Sequence, residues 1–288
     1  MKGLSLHAPS ALEYFASLVA DDASFALLEA AILIAQDEQP QLDAQAVVAE
    51  IDAMADRIKR RLPGDASTLQ RLRALNRFFF HELGFAGNVN DYYDRRNSYL
   101  HEVLASRRGI PITLALLFNE LATQIGLNAQ GVAFPGHFLI KLRMPQGEVV
   151  IDPFNGRSLS REDLDERLVP YRRRHGLEGD FEVPLGLFLQ SAPARDILAR
   201  MLRNLKEIHR TAEDWPRLLA VQERLVLLLP GSLEELRDRG LTWAELGRTT
   251  EAAADLEAYL AQRPDADDSP ALMQRARELR NAGSPRLH

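Results

Sequence analysis

His137 and Asp152 stand fifteen residues apart in the stretch "VAFPGHFLIKLRMPQGEVVIDPFNG". The histidine follows Gly136 and precedes one apolar run; the aspartate closes the next. An imidazole oriented by a carboxylate is the general base of nucleophilic catalysis, where a thiol or hydroxyl attacks a carbonyl. Upstream, "RRGIPITLALLF" reads as the start of a helix. Yet the sequence contains no cysteine. A base and its orienting carboxylate are therefore present without the thiol they would serve.

The surrounding elements must bring the pair together. "QGVAF", "HFLIKLR" and "EVVIDPF" read as three β-strands, with "MPQGE" turning the last two into a hairpin. This hairpin predicts His137 and Asp152 on adjacent strands, with imidazole and carboxylate within hydrogen-bond reach. "ITLALLFNELATQI" is apolar on nearly every side and reads as a buried helix. Pro111 suits its first position, where a missing N–H costs nothing, and Gly126 marks its end. That N-terminus offers partial positive charge and free N–H groups to an anion or carbonyl. Arg107 and Arg108 either lend charge to the cleft mouth or pair with Asp91 or Asp94. Asn155 in "DPFNG" either reaches the cleft or only forms a turn.

Residues 10 to 62 read as helices, the first opened by a Ser10–Glu13 capping box, the second central and buried. The basic run Arg57, Lys59, Arg60, Arg61 reads as a solvated helix end. "TLQRLRALNRFFFHEL" makes a further amphipathic helix stopped by Gly84, and "AGNVNDYYDRRNSYLHEVLASRRGIP" reads as irregular loop. "YRRRHG" (171 to 176) reads as a solvated loop or salt-bridged face. "FEVPLGLFLQSAP" reads as a connector docking on both halves. Beyond residue 195 the pattern is helical and repeats at an offset of 34 residues, matching Leu218 with Ala252, Leu225 with Tyr259, and Pro230 with Pro264. Two helix–turn–helix units of that period are the sign of tetratricopeptide repeats, with a capping helix from about Ala271 to Arg280. The span 197 to 262 is expected to hold four helices in two antiparallel pairs.

Taken in order, "NSYLHEVLASRRGIPITLALLF", "GVAFPGHFLIKL", "VVIDPFNGR", "ILARMLRNLKEIHR" and "LEELRDRGLTWAELGR" resemble the bacterial SirB family. That family joins a transglutaminase-like core to C-terminal tetratricopeptide repeats. The resemblance implies an α+β fold: a helical N-terminal region, a transglutaminase/papain-like core of one helix against a small antiparallel sheet, then all-α repeats. Domains are expected over 1–190 and 191–288. In active transglutaminase-like enzymes a cysteine opens the core helix, a histidine follows on the next strand and an aspartate on the strand after. His137 and Asp152 match the last two; the cysteine slot falls at Pro111 or Ile112, neither of which has a nucleophilic atom. Thr113 lies one or two residues past that slot and, at about 100° per residue, points away from the cleft. Thr113 or Ser98 would also need stronger activation than a thiol.

The expected site is thus a vestigial dyad, His137 and Asp152, in a cleft lined by Arg108, Pro111, Ile112 and Asn155. A net charge of −6 argues against a chain-wide nucleic-acid footprint. No apolar run is long enough for a membrane span, no secretory signal is recognisable, and the histidines lack paired ligand spacing, so no metal or cofactor is expected. The expected compartment is the cytosol. Three functions fit. The first is a non-catalytic interaction protein with a protein or peptide in the repeat groove and a small acyl or carboxylate ligand near His137. The second is a hydrolase or acyltransferase with an unorthodox nucleophile. The third, implied by the family's name alone, is a regulator of gene expression.

Overall fold

Capping chemistry sets the first helices. The structure, a computed structural model, describes residues 9–177 and 183–283. Ser10 and Glu13 form the expected capping box on α1 (Ala11–Leu18). The apolar segment after it forms α2 (Leu27–Leu33) between short 3-10 turns, with Ala30–Leu33 buried. Asp43 caps α3 (Ala44–Lys59) by accepting the Gln45 and Ala46 N–H groups, and Ser67 with Gln70 boxes α4 (Thr68–Asn76). The next stretch does not continue as α-helix. Residues Arg77–Glu82 form a π-helical turn, with the Leu83 N–H donating to the Phe78 carbonyl at 2.9 Å. Phe79 stacks on Phe85 at 4.3 Å and meets Phe118 edge-on at 5.5 Å, so this turn carries its aromatic run into the core.

The segment expected to be irregular is more ordered than its polar composition suggests. Ala86–Gly87 (β1) pairs in parallel with Arg108–Gly109 (β2), and Leu100–Ser106 forms α5 between them. Leu100, Val103 and Leu104 bury one face of α5, at the spacing that a single helical turn needs. Arg107 ends it in the left-handed region at φ 58°.

Pro111 opens α6 (Pro111–Gln124) at its first turn, and Gly126, at φ 79°, follows its end. Ten of its fourteen residues are buried, each large apolar side chain contributing roughly 1.5–3 kcal/mol. It packs against β3 (Ala129–Val132) and β4 (Leu139–Met144), and against α3, α4 and α5. A two-residue turn joins β4 to β5 (Gly147–Asp152), as the hairpin pattern predicts. A strand not foreseen, β6 (Arg157–Leu159), completes an antiparallel sheet of order β3-β4-β5-β6. Ser160 and Asp163 cap α7 (Arg161–His175), which ends at Gly176 in the left-handed conformation. The basic run 171–176 is therefore the last turn of a helix, not a loop. Leu164 and Leu168 of α7 and Leu185 of α8 (Leu185–Phe188) share a core with Val132, Leu139, Val150 and Leu159. Of the expected connector, Phe181 and Glu182 lie outside the described residues.

Four helices cover 197 to 262, as the repeat pattern predicts: α9 (Ala194–Thr211), α10 (Trp215–Leu228), α11 (Leu233–Glu245) and α12 (Thr249–Gln262). α13 (Ser269–Gly283) packs on α12, burying Leu272, Ala276 and Leu279. Gly240 lets α11 approach α12: a Cβ there would lie 3.0 Å from the Asp255 Cβ. The chain divides into two compact units. One holds residues up to Phe25, Gln36–Pro40 and residues from Leu202; the other holds Ala26–Ala35 and Gln41–Met201. No helix among the described residues is long and apolar enough to cross a membrane.

Candidate functional site

The second unit brings His137 and Asp152 together. Asp152 is the last residue of β5 and is 3% exposed. His137 precedes β4 rather than lying on it. "FPGH" folds as a turn in which the His137 N–H donates to the Phe134 carbonyl at 3.0 Å and Gly136 adopts φ 69°, so the strand starts at Leu139. The ring still reaches across: His137 Nε2 lies 2.8 Å from Asp152 Oδ1. Because an ionised carboxylate only accepts, Nε2 carries the donated proton. Nδ1 is then the acceptor of the neutral ring, the atom a base would use.

Asp152 is held from three sides. Oδ1 also accepts the Phe154 N–H at 3.0 Å, and Oδ2 accepts Arg167 Nη2 at 2.9 Å. Burial alone would raise the Asp152 carboxyl. The bonds from His137, Phe154 and Arg167 outweigh it and hold the group below its ordinary value. Arg167 was not among the expected residues. Its signal was faint: it sits beside buried Leu168 and three positions past buried Leu164, so α7 turns it toward the sheet.

Two close approaches brace the turn after Asp152. A Cβ on Gly87 would lie 2.0 Å from the Phe154 ring, and the Gly87 N–H donates to the Phe154 carbonyl at 2.8 Å. A Cβ on Gly156 would lie 2.7 Å from the Phe80 ring, which the π-helical turn delivers. β1 and the π-helical turn thereby fix the peptide whose N–H binds Asp152.

The other expected residues have separate roles. Asn155 is exposed and its Oδ1 accepts the Arg157 N–H at 3.0 Å, the turn-forming alternative. Arg108 donates to the carbonyls of Gly84 (2.7 Å) and Arg107 (2.9 Å). Arg107 pairs with Glu50 at 3.6 Å and lies over Phe85. Neither arginine pairs with Asp91 or Asp94. Pro111 is buried at the start of α6, and Ile112 is 2% exposed. The side chains of Arg108 and Asn155 bond neither His137 nor Asp152, so only the dyad of the expected set is assembled by direct contact.

The hydroxyls are no better placed as nucleophiles. Thr113 is fully buried, with Oγ1 2.8 Å from the Asn97 carbonyl and 3.0 Å from that of Ile110. Ser98 is 1% exposed, with its Oγ enclosed and without a hydrogen-bond partner among the described residues. A further group went unanticipated, since nothing in "ARDILARM" distinguishes it. Arg200 lies 5.6 Å from the centre of the Phe138 ring, next in sequence to His137, and makes no ion pair among the described residues. Burial pulls its guanidinium below the ordinary arginine value, partly offset by Tyr92. Tyr92 in turn faces the Phe154 ring at 6.3 Å.

A helix packed on an antiparallel sheet, with a His–Asp pair at the strand ends, is a transglutaminase-like core. Residues 45–203 match a family model described as transglutaminase-like superfamily, and 205–277 match one described as tetratricopeptide repeat. A UPF0162 protein of Xylella fastidiosa (strain Temecula1) is 39% identical over 245 residues, covering 85% of this chain and 86% of its own. A UPF0162 protein of Pseudomonas aeruginosa is 32% identical over 263 residues, covering 91% and 94%. Protein SirB1 of Salmonella typhimurium is 26% identical over 239 residues, covering 81% and 86%. The chain belongs to this UPF0162 family, a transglutaminase-like core followed by tetratricopeptide repeats. No solved structure matches it significantly.

Proposed function

We propose that this chain is a non-catalytic, cytoplasmic interaction and regulatory protein built on a transglutaminase-like core that has lost its nucleophile. The carrying observation is chemical: His137 and Asp152 keep a base's geometry at 2.8 Å, in a sequence with no cysteine. Pro111, at the slot implied by the family, has no nucleophilic atom and lacks even an N–H. The engaged Thr113 and enclosed Ser98 support the same reading. Repeat units of this kind stack into grooves that hold a peptide or helix, so a protein partner fits the C-terminal unit. Arg200, beside Phe138 and without an ion pair among the described residues, fits the anionic end of a carboxylate ligand near His137.

The test is a panel of ester, amide and glutamine-donor substrates with wild type and His137→Ala. Both are expected to remain at the buffer rate. Turnover by the wild type that His137→Ala abolishes would overturn the proposal in favour of a hydrolase or acyltransferase. That second reading has one observation behind it, the intact bond between base and carboxylate. For the interaction side, Leu241→Glu on α11 and Met273→Glu on α13, both exposed, are expected to reduce partner capture. Equal background capture by wild type and variants would count against it.

A further inference from the structure

We propose that the cavity formed by α3, α4 and the π-helical turn binds a phosphate-bearing small molecule through Arg61, Arg73 and Arg77. The cavity measures about 460 Å³, within the range of small-ligand sites. Three guanidiniums and one carboxylate, Glu82, line it over an apolar floor of Ile58 and Phe78. Its formal charge is 3 − 1 = +2, on a chain whose net charge is −6. A dianion matches that excess; a single carboxylate leaves half of it uncompensated.

Arg61, with its neighbour Arg57, is held against the apolar floor. Arg57 and Arg61 lie 5.1 and 5.4 Å from the centre of the Phe78 ring, which their side chains help cover to 1% exposure. The π-helical turn explains how Arg77 meets Glu82. Hydrogen bonding from i to i+5 stacks residue 82 over residue 77, which a continuous α-helix would turn well apart.

Glu82 already occupies part of the site as an internal oxyanion. Its Oε2 lies 2.5 Å from Arg61 Nη1, and its Oε1 lies 3.4 Å from Arg77 Nε. Arg73 makes no ion pair or side-chain hydrogen bond among the described residues, although it lines the same cavity. Each guanidinium presents five donors in a planar fork suited to phosphate oxygens. A phosphate group entering beside Glu82 would engage Arg73 and the unused edges of Arg61 and Arg77. The repulsion between Glu82 and the ligand then limits affinity.

Calorimetric titration of the full chain with inorganic pyrophosphate at low ionic strength tests this site. Saturable binding is expected in the wild type. Arg73→Gln should weaken it about tenfold, the loss of one charge-assisted contact, without breaking a native ion pair. Glu82→Gln should tighten it several-fold. Arg60→Gln, an equal charge change outside the cavity, should leave it within about twofold; far-UV circular dichroism verifies folding of each variant. No saturable binding, or equal weakening by Arg60→Gln and Arg73→Gln, would overturn the proposal.

Discussion

Replacing Asp152 by asparagine keeps the shape of the side chain and removes its charge. The amide offers one oxygen where the carboxylate uses two. If that oxygen keeps His137 and the Phe154 N–H, the new NH₂ group faces the Arg167 guanidinium, donor against donor. Breaking a buried ion pair costs about 3–5 kcal/mol. Here Asp152 is nearly sealed, but the side chains of His137 and Arg167 are 23% and 34% exposed, so solvent recovers part of the loss. A cost of about 2–3 kcal/mol is expected, a urea midpoint shift of roughly 1 M at ordinary denaturant slopes. The pH dependence has a definite sign. The folded-state carboxyl is held below 3.8, so its contribution is fully present above that value and fades as pH falls through the folded pKa. The gap between wild type and Asp152→Asn, followed by circular dichroism, should therefore be full at pH 7. It should narrow at the lowest pH where the wild type stays folded. A cost under about 0.5 kcal/mol at pH 7, the range of surface substitutions, would refute the reasoning. So would a gap that widens in acid.

Three further outcomes are expected. Gly87→Ala should destabilise the chain by about 1–3 kcal/mol in urea unfolding, because its Cβ would enter the space of the Phe154 ring. Gly240→Ile should cost a similar ~1–3 kcal/mol, since α11 and α12 meet at that Cβ position; an unchanged midpoint would mean that the helices do not pack there. Ser98→Ala should be neutral or stabilising by up to about 1 kcal/mol, because the enclosed hydroxyl has no partner among the described residues to lose. A loss above 1 kcal/mol would reveal an unseen partner.

Much of this fold was legible because its signals are periodic. Two apolar runs separated by "MPQGE" predicted the hairpin, and a hairpin carries a residue before one strand to the end of the next. The hairpin brings the His137 and Asp152 ends together, and the turn before β4 aims the ring at the carboxylate. Pro111 and Gly126 bracketed α6, and the 34-residue offset revealed the repeats. The misses share a different cause, tertiary context overriding local pattern. "RFFFHE" suits an α-helix in isolation, yet the packing of Phe79 and Phe80 on Phe118 accompanies a π-helical turn. α5 hides in a polar segment because one buried turn suffices to hold it. Arg167 joins Asp152 only because α7 folds back over the sheet, a relation with no spacing rule. Arg108 was read as facing a cleft, but nearby carbonyls claim its guanidinium.

A thiol restored at the slot implied by the family tests most directly whether this is a catalytic core short of its nucleophile. Pro111→Cys returns an N–H to the first turn of α6 and sets a sulfur at a helix N-terminus, a position that depresses thiol pKa. An unperturbed thiol is only about 3% ionised at pH 7, given a pKa near 8.5. The rate of iodoacetamide alkylation against pH, in the otherwise cysteine-free chain, reports that single group. The expected result is an apparent thiol pKa below about 7.5, rising toward the unperturbed value when His137→Ala is added. A thiol that stays inert, or that titrates identically with and without His137, would contradict it and leave His137 and Asp152 as ordinary structural residues.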